Sequence, residues 1–183
     1  MNYNTLFLDR DGVINRQIIN GYVTNIEEFE FLPSVLEALA ILSNKFQYLF
    51  IVTNQQGIGK GIFSMDKLLD IHRYMLEKIE KNGGRIDKIY VAPNLESENS
   101  MNRKPQLGMA WQAKKDFPDI DFKRSIMIGD SAVDMQFGKN AGMTTVFLSN
   151  NLSENQENAD YIFQDLFDFA VNGVNNLVIT NNS

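Results

Sequence analysis

Two carboxylates stand directly behind the first apolar run of the sequence, TLFL at residues 5–8. They are Asp9 and Asp11, and Gly12 follows them. Side chains two positions apart in an extended chain project to the same side, roughly 6 to 7 Å apart. This spacing suits two carboxylates that act on one phosphate, the first attacking phosphorus and the second exchanging a proton with the bridging oxygen. An acidic turn closed by Gly12 is the simpler alternative.

A second polar group follows the most strand-like run of the chain, residues 48–52. Thr53 and Asn54 come first, and a glycine-rich stretch at 57–61 comes next. A hydroxyl and exposed backbone N–H groups at this point could hold phosphate oxygens without adding charge. The glycines do not form a P-loop, because no G-x-x-x-x-G-K-[ST] pattern can be aligned here. An ordinary turn between strand and loop remains the alternative.

A basic pair, Arg103 and Lys104, precedes Pro105 and a predicted helix that begins near Leu107. The lysine can meet a phosphoryl group as a compact positive charge, and the arginine fork can bind a second anionic or hydroxylated part of a substrate. The alternative is a pair of solvated basic side chains.

Two further carboxylates surround the start of a predicted helix in the second half of the chain. Asp130 ends the apolar run 126–129, and Asp134 lies in the first turn of the helix. Helix capping would account for both, since acidic side chains are favoured at a helix N-terminus. The functional alternative is a site for a hard cation made of oxygen ligands.

The pattern of the chain predicts the elements that position these groups. Short runs rich in β-branched and aromatic residues indicate strands at 6–8, 48–52, 89–92, 126–128, 145–148 and 161–163. Helical spacing predicts helices at about 33–43, 64–79, 107–116, 132–141 and 164–171. Apolar runs without alternation, separated by helices, indicate a three-layer, doubly wound α/β fold with a mostly parallel sheet.

All four polar clusters follow predicted parallel strands, so we expect them to meet at one edge of the sheet, where such folds bind ligands. Two unit negative charges 4 Å apart repel by about 4 kcal/mol at an effective dielectric of 20. A phosphate dianion among Asp9, Asp11 and Asp130 would add to that repulsion. We therefore predict a divalent cation, and Mg2+ is the natural choice because carboxylate, carbonyl and water oxygens suit it.

Composition limits the remaining function classes. The chain has 183 residues, of which 44% are hydrophobic, and 17 basic against 23 acidic residues give a net charge of −6. That charge argues against a nucleic-acid partner. The chain has no cysteine and a single histidine, His72, which leaves little with which to build a zinc site. Because no long apolar stretch is present, we predict no membrane segment and a cytoplasmic protein.

We predict one domain over residues 1–172. The polar segment 15–31 contains Asn20-Gly21, a hairpin signal, and is predicted to form a small flap over the strand ends. No large cap domain is expected. The asparagine-rich tail, 173–183, is predicted to fray, with 177–179 able to dock. His72 lies in the apolar stripe of a predicted helix, and we predict a packing role for it.

Four motifs in this order resemble those of the haloacid dehalogenase superfamily of phosphohydrolases. They are DRDGVIN at 9–15, TNQQG at 53–57, RKP at 103–105 and GDSAVD at 129–134. Within the superfamily, the chain most resembles the D-glycero-D-manno-heptose-1,7-bisphosphate 7-phosphatases and the related histidinol-phosphatases. The resemblance covers roughly residues 5–170 and implies a Rossmann-like core.

The resemblance also implies a role for each motif. Asp9 would be the nucleophile that forms an aspartyl-phosphate, and Asp11 the acid that protonates the leaving oxygen and the base that then activates water. Thr53 would hold the phosphoryl group, and Lys104 would balance its charge. Arg103 would recognise the rest of the substrate.

By the same resemblance, Mg2+ would be bound by the carboxylates of Asp9 and Asp130 and by the backbone carbonyl of Asp11, with Asp134 behind them. The substrate would also contact Asn54 and the flap residues, which are Asn20, Gly21 and Tyr22.

The resemblance has one clear gap, because the family usually carries a zinc-binding loop of cysteine and histidine before the RKP motif. Residues 92–102 contain neither residue type, so we predict Mg2+ and no zinc. The expected enzyme is a monomeric phosphomonoesterase for a small phosphorylated sugar, with a heptose 1,7-bisphosphate as the best guess. Histidinol phosphate and a broader range of sugar phosphates are the alternatives. A phospho-receiver signalling module is the alternative from another class.

Overall fold

A computed structural model of the chain describes residues 3–151 and 156–179. Its centre is a six-stranded sheet in which every pairing is parallel and the strand order is β3-β2-β1-β4-β5-β6. The strands are β1 (Thr5–Leu8), β2 (Tyr48–Asn54), β3 (Lys88–Ala92), β4 (Ser125–Gly129), β5 (Thr144–Leu148) and β6 (Tyr161–Phe163). The six predicted strands are therefore present, and their ends agree with the prediction to within two residues.

Helices connect the strands and cover both faces of the sheet. They are α1 (Val35–Ser43), α2 (Gln56–Gly59), α3 (Met65–Lys81), α4 (Gly108–Asp116), α5 (Ala132–Ala141), α6 (Leu166–Asp168) and α7 (Val174–Ile179). Short 3-10 turns occupy Ile26–Glu28, Glu96–Glu98 and Phe122–Arg124, and a π-helical turn, Phe169–Gly173, joins α6 to α7. The predicted helix at 164–171 is thus divided between α6 and this turn, and α2 was not predicted.

Local sequence explains where the two clearest helices begin and end. The Ser64 hydroxyl accepts a hydrogen bond from Lys67 N, which caps α3 as its sequence predicts. Ser131 and Asp134 form a reciprocal capping box at the start of α5. Gly142, in the left-handed region at φ 77°, ends that helix.

Alternating side chains of the central strands separate the core into two layers. In β1, Leu6 and Leu8 pack into one buried cluster and Phe7 into the other. The first cluster lies under α1, α3 and the C-terminal helices, and the second lies under α4 and α5. Because both faces of the sheet are buried, each of these strands is a continuous run of apolar residues in the sequence. The predicted three-layer α/β fold is confirmed.

The strand order identifies the edge at which ligands should bind. In a sheet ordered 3-2-1-4-5-6, the crevice lies where the order reverses, beyond the carboxyl ends of β1 and β4. Asp9 follows β1 and Asp130 follows β4. Receiver modules use the order 2-1-3-4-5. The strand order here is different, so the fold contradicts the receiver alternative.

The segment 15–31 crosses this edge as a loop with a few fixed points. Single β-bridges join Asn15 to Asp11 and to Phe31. Val23 and Phe29 are buried in the core under α1 and α3, whereas Ile19 is 87% exposed. The loop is therefore anchored by its own apolar side chains, and the tip near Ile19 is left at the surface.

The chain after residue 172 contains α7, and Leu177 on this helix is buried in the same core cluster. The remaining part of the predicted tail, residues 180–183, lies outside the described residues. Among the helices of the described residues, none is long and apolar enough to cross a membrane.

Candidate active site

A buried ion-pair cluster lies at the carboxyl edge of the sheet. The Lys104 ammonium donates to Asp9 Oδ1 at 2.7 Å and to Asp134 Oδ1 at 2.5 Å. All three side chains are buried. The two carboxylates raise the pKa of Lys104 and outweigh the effect of burial, which opposes its charge. Lys104 therefore carries a positive charge in the middle of this acidic group.

The backbone of Lys104 is held by the Asn54 amide group at the end of β2. Asn54 Nδ2 donates to Lys104 O at 3.1 Å, and Lys104 N donates to Asn54 Oδ1 at 3.0 Å. This two-way bond joins the loop after β3 to the neighbouring strand. Asn54 lines the cavity, as its sequence position predicts, but its amide group is engaged with Lys104.

Three carboxylates converge at a place suited to a hard cation. One oxygen each from Asp9, Asp130 and Asp134 lies within 4.8 Å of the other two. Burial raises the pKa of Asp9 to about 8 and that of Asp130 to about 6, and the neighbouring carboxylates add to both shifts. Lys104 alone does not offset this concentration of negative charge. Carboxylate oxygens are ligands that Mg2+ prefers, so the residues present fit the ion.

Gly12 allows Asp130 to enter this group. The glycine lies in the left-handed region at φ +92°, and a Cβ atom added to it would lie 1.9 Å from Asp130 Oδ2. Any larger residue would therefore both strain the turn and displace the carboxylate. The glycine of the DRDG motif is thus required because the turn after β1 lies directly against the Asp130 side chain, which follows β4.

Asp134 touches both sides of the cluster. Its Oδ2 accepts from the Ser131 hydroxyl at 2.5 Å and from Ser131 N at 3.2 Å, while Oδ1 accepts from Lys104. The sequence left open whether Asp134 caps a helix or belongs to a functional site. In the structure its side chain does both, because it caps α5 and binds Lys104. Asp134 therefore fixes the lysine beside Asp9.

The second carboxylate of the DRD motif is held by three neighbours. Arg10 Nη2 donates to both oxygens of Asp11 at 2.8 and 2.9 Å, Asn15 Nδ2 donates to Oδ1 at 2.9 Å, and Gln55 Nε2 donates to Oδ2 at 2.8 Å. Burial would raise the pKa of Asp11, but the charge and hydrogen bonds of these donors, above all Arg10, lower it. The donors orient Asp11 without involving it in the Lys104 cluster.

Sequence reasoning missed Arg10, Asn15 and Gln55 as partners of Asp11. All three lie inside motifs that it did single out, DRDGVIN and TNQQG. These contacts depend on the three-dimensional geometry. Nothing in the local sequence shows that Gln55, which follows β2, reaches Asp11, which follows β1.

Gln55 also determines how Thr53 is presented. Gln55 Nε2 donates to Thr53 Oγ1 at 2.8 Å, and Thr53 is buried. The hydroxyl oxygen therefore accepts a bond, which leaves its proton to donate elsewhere. The predicted use of Thr53 as a donor to phosphoryl oxygens is compatible with this arrangement.

His72 lies closer to the site than its sequence position suggests. The side chain is buried on α3, and its Nε2 lies 3.2 Å from Nη1 of Arg10, which is itself fully buried. Burial, and after it the charge of Arg10, lower the pKa of His72 to about 3. The imidazole is therefore neutral at physiological pH.

A cavity of about 800 Å³ opens above these groups. The eleven residues that the sequence predicted for the site all line it: Asp9, Asp11, Asn20, Gly21, Tyr22, Thr53, Asn54, Arg103, Lys104, Asp130 and Asp134. Its size is typical of a site for a small ligand.

The outer part of the cavity has its own polar groups. Lys60, which sequence reasoning did not assign, lines the cavity and donates to the Tyr22 hydroxyl at 3.0 Å. Arg103 lines it too, and its Nη1 is buried with no hydrogen-bond partner in the described part of the chain. Within residues 3–151 and 156–179, neither cation forms a salt bridge with a carboxylate.

The loop before the RKP motif is held by polar contacts and a short turn. Asn94 Nδ2 donates to Glu98 Oε2 at 2.7 Å across the turn at Glu96–Glu98. Gly59 N donates to Pro93 O at 3.1 Å, which joins the loop to α2.

The sequence matches the polynucleotide kinase 3 phosphatase family over residues 6–175. A curated relative from Campylobacter jejuni, D-glycero-alpha-D-manno-heptose-1,7-bisphosphate 7-phosphatase, is 42% identical over 164 residues, which are 90% of this chain and 91% of that protein. A relative from Vibrio cholerae, D-glycero-beta-D-manno-heptose-1,7-bisphosphate 7-phosphatase, is 38% identical over 151 residues, 78% of this chain and 79% of that one.

Solved structures show the same likeness. The D,D-heptose 1,7-bisphosphate phosphatase from B. bronchiseptica, solved with magnesium and phosphate, matches with a TM-score of 0.84 and 27% identity over 97% of this chain and 99% of that chain. A HAD-like phosphatase from Mesorhizobium loti matches with a TM-score of 0.80 and 28% identity over 92% of this chain and 85% of that one.

Proposed function

Because the chain belongs to the polynucleotide kinase 3 phosphatase family, within the haloacid dehalogenase superfamily, it is a phosphoric monoester hydrolase, and we propose that its substrate is a small sugar bisphosphate. Our best single assignment is D-glycero-D-manno-heptose 1,7-bisphosphate, hydrolysed at the phosphate on carbon 7. The superfamily resemblance of the four motifs is confirmed. The substrate and the residue roles below are proposals.

The first chemical step uses Asp9 and Asp11. Lys104 holds Asp9 Oδ1, and Oδ2 has no hydrogen-bond partner within the described part of the chain, so Oδ2 is the oxygen we assign to the attack on phosphorus. The bond between phosphorus and the sugar oxygen breaks as the new bond forms. Asp11 supplies the proton to the leaving oxygen, which yields the alcohol and an aspartyl-phosphate.

The second step reverses the role of Asp11. Now ionised, it takes a proton from the water that attacks phosphorus, and the bond to Asp9 breaks to release inorganic phosphate. The three donors keep Asp11 ionised before substrate binds, and the negative phosphate that then lies beside it raises its pKa again, which both the acid role of the first step and the basic role of the second require. Thr53 and Lys104 would hold the phosphoryl oxygens in both steps.

The cofactor we propose is Mg2+, held by Asp9 and Asp130 with the backbone carbonyl of Asp11. When bound, the ion neutralises charge on the phosphate and on the clustered carboxylates. We propose no zinc, because residues 92–102 contain no cysteine or histidine and the one histidine of the chain is hydrogen-bonded to Arg10.

One observation supports a substrate with a second anionic group. Lys60 and Arg103 both line the cavity and neither has an acidic partner among the described residues, whereas Lys104 is already paired with Asp9 and Asp134. Two available cations at the wall of a small cavity suit a second phosphate on the same molecule. The flap residues, Asn20–Tyr22, face the same cavity and would contact the sugar between the two phosphates.

We also propose that the enzyme acts as a monomer, because one copy of the chain supplies every residue of this cavity. The alternatives for the substrate, histidinol phosphate and a wider range of sugar phosphates, would place only one phosphate in the site.

A turnover panel tests the proposal. Release of inorganic phosphate is measured for both anomers of heptose 1,7-bisphosphate, for histidinol phosphate and for common hexose monophosphates, each with and without Mg2+. We expect the highest kcat/KM for a heptose bisphosphate and no turnover in EDTA. A higher kcat/KM for histidinol phosphate would reassign the substrate, and equal values for all sugars would indicate a broad phosphatase.

A further inference from the structure

Asp11 is connected to the interior of the protein by a buried chain of hydrogen bonds. Both oxygens of Asp11 accept from Nη2 of Arg10 at 2.8 and 2.9 Å, and Nη1 of Arg10 lies 3.2 Å from Nε2 of His72. Arg10 is fully buried and His72 is 5% exposed. Arg10, in the turn after β1, and His72, in the middle of α3, therefore meet behind the carboxylate that we assign as acid and base.

The roles of the two nitrogen atoms are fixed by chemistry. A guanidinium only donates, so Nε2 of His72 must accept, and the ring proton must be on Nδ1. The imidazole must also be neutral, which agrees with its lowered pKa of about 3. His72 is thus a hydrogen-bond acceptor in this arrangement, a function that an aliphatic residue of similar size could not serve.

Arg10 has few other contacts that could set the plane of its guanidinium. Its Nε is buried and has no hydrogen-bond partner among residues 3–151 and 156–179, where the polar contacts of the group are those with Asp11 on one side and His72 on the other. Nη1 and Nη2 lie in one rigid plane, so the bond between Nη1 and His72 fixes the direction in which Nη2 points at the two oxygens of Asp11. Without the acceptor at His72, Nη1 would be a buried unsatisfied donor, and the side chain would turn to relieve it.

We propose that His72 is a positioning residue for the phosphatase reaction, in which its Nε2 accepts from Nη1 of Arg10 and thereby holds Nη2 of the same guanidinium against both oxygens of Asp11. This inference rests on the proposed role of Asp11. It differs from the packing role that the apolar stripe of α3 predicts, because packing would require only the shape of the ring.

The expected loss of activity depends on the contacts that still hold Asp11 when His72 is replaced. Asn15 and Gln55 still bind Asp11, so the carboxylate would be misoriented rather than released. Misplacement of a catalytic group by a fraction of an ångström to 1 Å costs about tenfold to a hundredfold in rate. Substrate binding should change little, because His72 does not line the cavity.

Two substitutions separate acceptor from shape. In His72→Leu the side chain keeps much of its volume but cannot accept, and in His72→Gln the amide oxygen can take the place of Nε2. We expect His72→Leu to lower kcat by about tenfold to a hundredfold with KM within about twofold, and His72→Gln to recover most of the loss. Met75→Leu, one turn further along the buried face of α3, serves as the packing control and should retain kcat.

Two kinetic outcomes would overturn the inference. One is a His72→Leu enzyme with kcat close to that of the unaltered chain, and the other is an equal loss in the leucine and glutamine variants. Thermal unfolding of each variant, followed by circular dichroism, shows whether a lost activity accompanies a lost fold.

A spectroscopic measurement tests the contact without any variant enzyme having to fold. Because the chain has one histidine, a 15N spectrum of the imidazole contains a single pair of ring resonances. At pH 7 we expect a neutral ring with an unprotonated Nε2 and a protonated Nδ1. A charged ring, or a proton on Nε2, would exclude the bond with Arg10.

The two proposals fail in different ways. If the unaltered chain hydrolyses no sugar phosphate, the proposed substrate is wrong. The 15N spectrum would still show whether His72 accepts a hydrogen bond from Arg10. If turnover is normal and the histidine variants match the unaltered chain, the role of His72 is wrong and the proposed function stands.

Discussion

Lys104 and Asp9 are 95 residues apart in the chain, yet Lys104 Nζ lies 2.7 Å from Asp9 Oδ1 in a buried ion pair. The contact exists because the loop after β3 folds back over β2 and is fixed there by the Asn54 amide group. It leaves one oxygen of Asp9 unbonded within the described residues, and this is the oxygen that we propose as the nucleophile. The following predictions test this arrangement and the groups around it.

The nucleophile is tested by Asp9→Asn. An amide oxygen is a poor nucleophile and forms no aspartyl-phosphate, so we expect phosphate release to fall by about a thousandfold or more. The fold should remain, since the amide keeps the size of the side chain and an oxygen that can accept from Lys104, and Lys104 keeps Asp134 as its ion-pair partner. Phosphate release and circular dichroism of the same preparation check both points. Near-normal turnover would remove the covalent mechanism.

The metal site is tested by removing and restoring Mg2+. We expect EDTA to abolish turnover, and Mg2+ to raise the unfolding temperature, because an ion at 100 times its Kd stabilises the folded state by about 2.7 kcal/mol. In Asp130→Asn, we expect both effects to require much more Mg2+. Asp70→Asn, an exposed position on α3, is the matched control and should respond to Mg2+ like the unaltered chain. Turnover that persists in EDTA contradicts the site.

The second cation at the cavity wall is tested by Lys60→Met. If Lys60 binds the second phosphate, its loss should raise KM for a sugar bisphosphate by about tenfold, corresponding to about 1.4 kcal/mol, and leave KM for a monophosphate unchanged. Lys81→Met, at the far end of α3 and outside the cavity lining, controls for the loss of one charge. An equal rise in KM for both kinds of substrate would show that Lys60 does not distinguish them.

The close contact between Gly12 and the Asp130 side chain is tested by Gly12→Ala. The added Cβ would lie 1.9 Å from Asp130 Oδ2, so we expect loss of Mg2+ binding and of turnover. Gly142→Ala is an informative control, because Gly142 also has a positive φ, +77°, but has no atom within 4 Å of the added Cβ. It should lower stability by about 1 kcal/mol through backbone strain and leave turnover intact. Normal Mg2+ binding by Gly12→Ala would contradict this account.

The buried state of His72 predicts how stability depends on pH. Its pKa is lowered from 6.5 to about 3 in the folded chain, so the folded state excludes a proton that the unfolded state binds. The stabilisation is fully present above pH 6.5 and is lost as pH falls toward 3. Between pH 7 and 4.5, this one group should cost about 2 kcal/mol of the free energy of unfolding.

Urea unfolding at the two pH values measures this effect. His72→Gln has no such group, so its free energy of unfolding should fall less on acidification than that of the unaltered chain. The carboxylates, including Asp11 with its lowered pKa, titrate in both proteins. Their contributions therefore cancel when the two changes in the free energy of unfolding are subtracted. An equal fall in both proteins would mean that His72 is protonated in the folded state.

The elements that carry the site were predictable because of where they lie in the fold. Strands β1, β2 and β4 are buried on both faces, so each appears in the sequence as an uninterrupted apolar run with a polar residue immediately after it. The helix α2 was missed because its sequence, QGIG, contains two glycines, which disfavour helix by about 1 kcal/mol each. The helix predicted at 164–171 is interrupted by a π-helical turn that no local signal marks.

The sequence by itself determined the kind of fold and the chemical groups available at the ends of its strands. Burial makes parallel strands recognisable, and parallel strands bring their carboxyl ends to one edge. Only the tertiary structure decided which of these groups touch: that Gln55 and Asn15 bind Asp11, that Asn54 holds Lys104, and that His72 lies behind Arg10. The physical reason is that a hydrogen bond depends on a few tenths of an ångström and on one orientation, which arise from packing between distant segments and leave no periodic pattern in the chain.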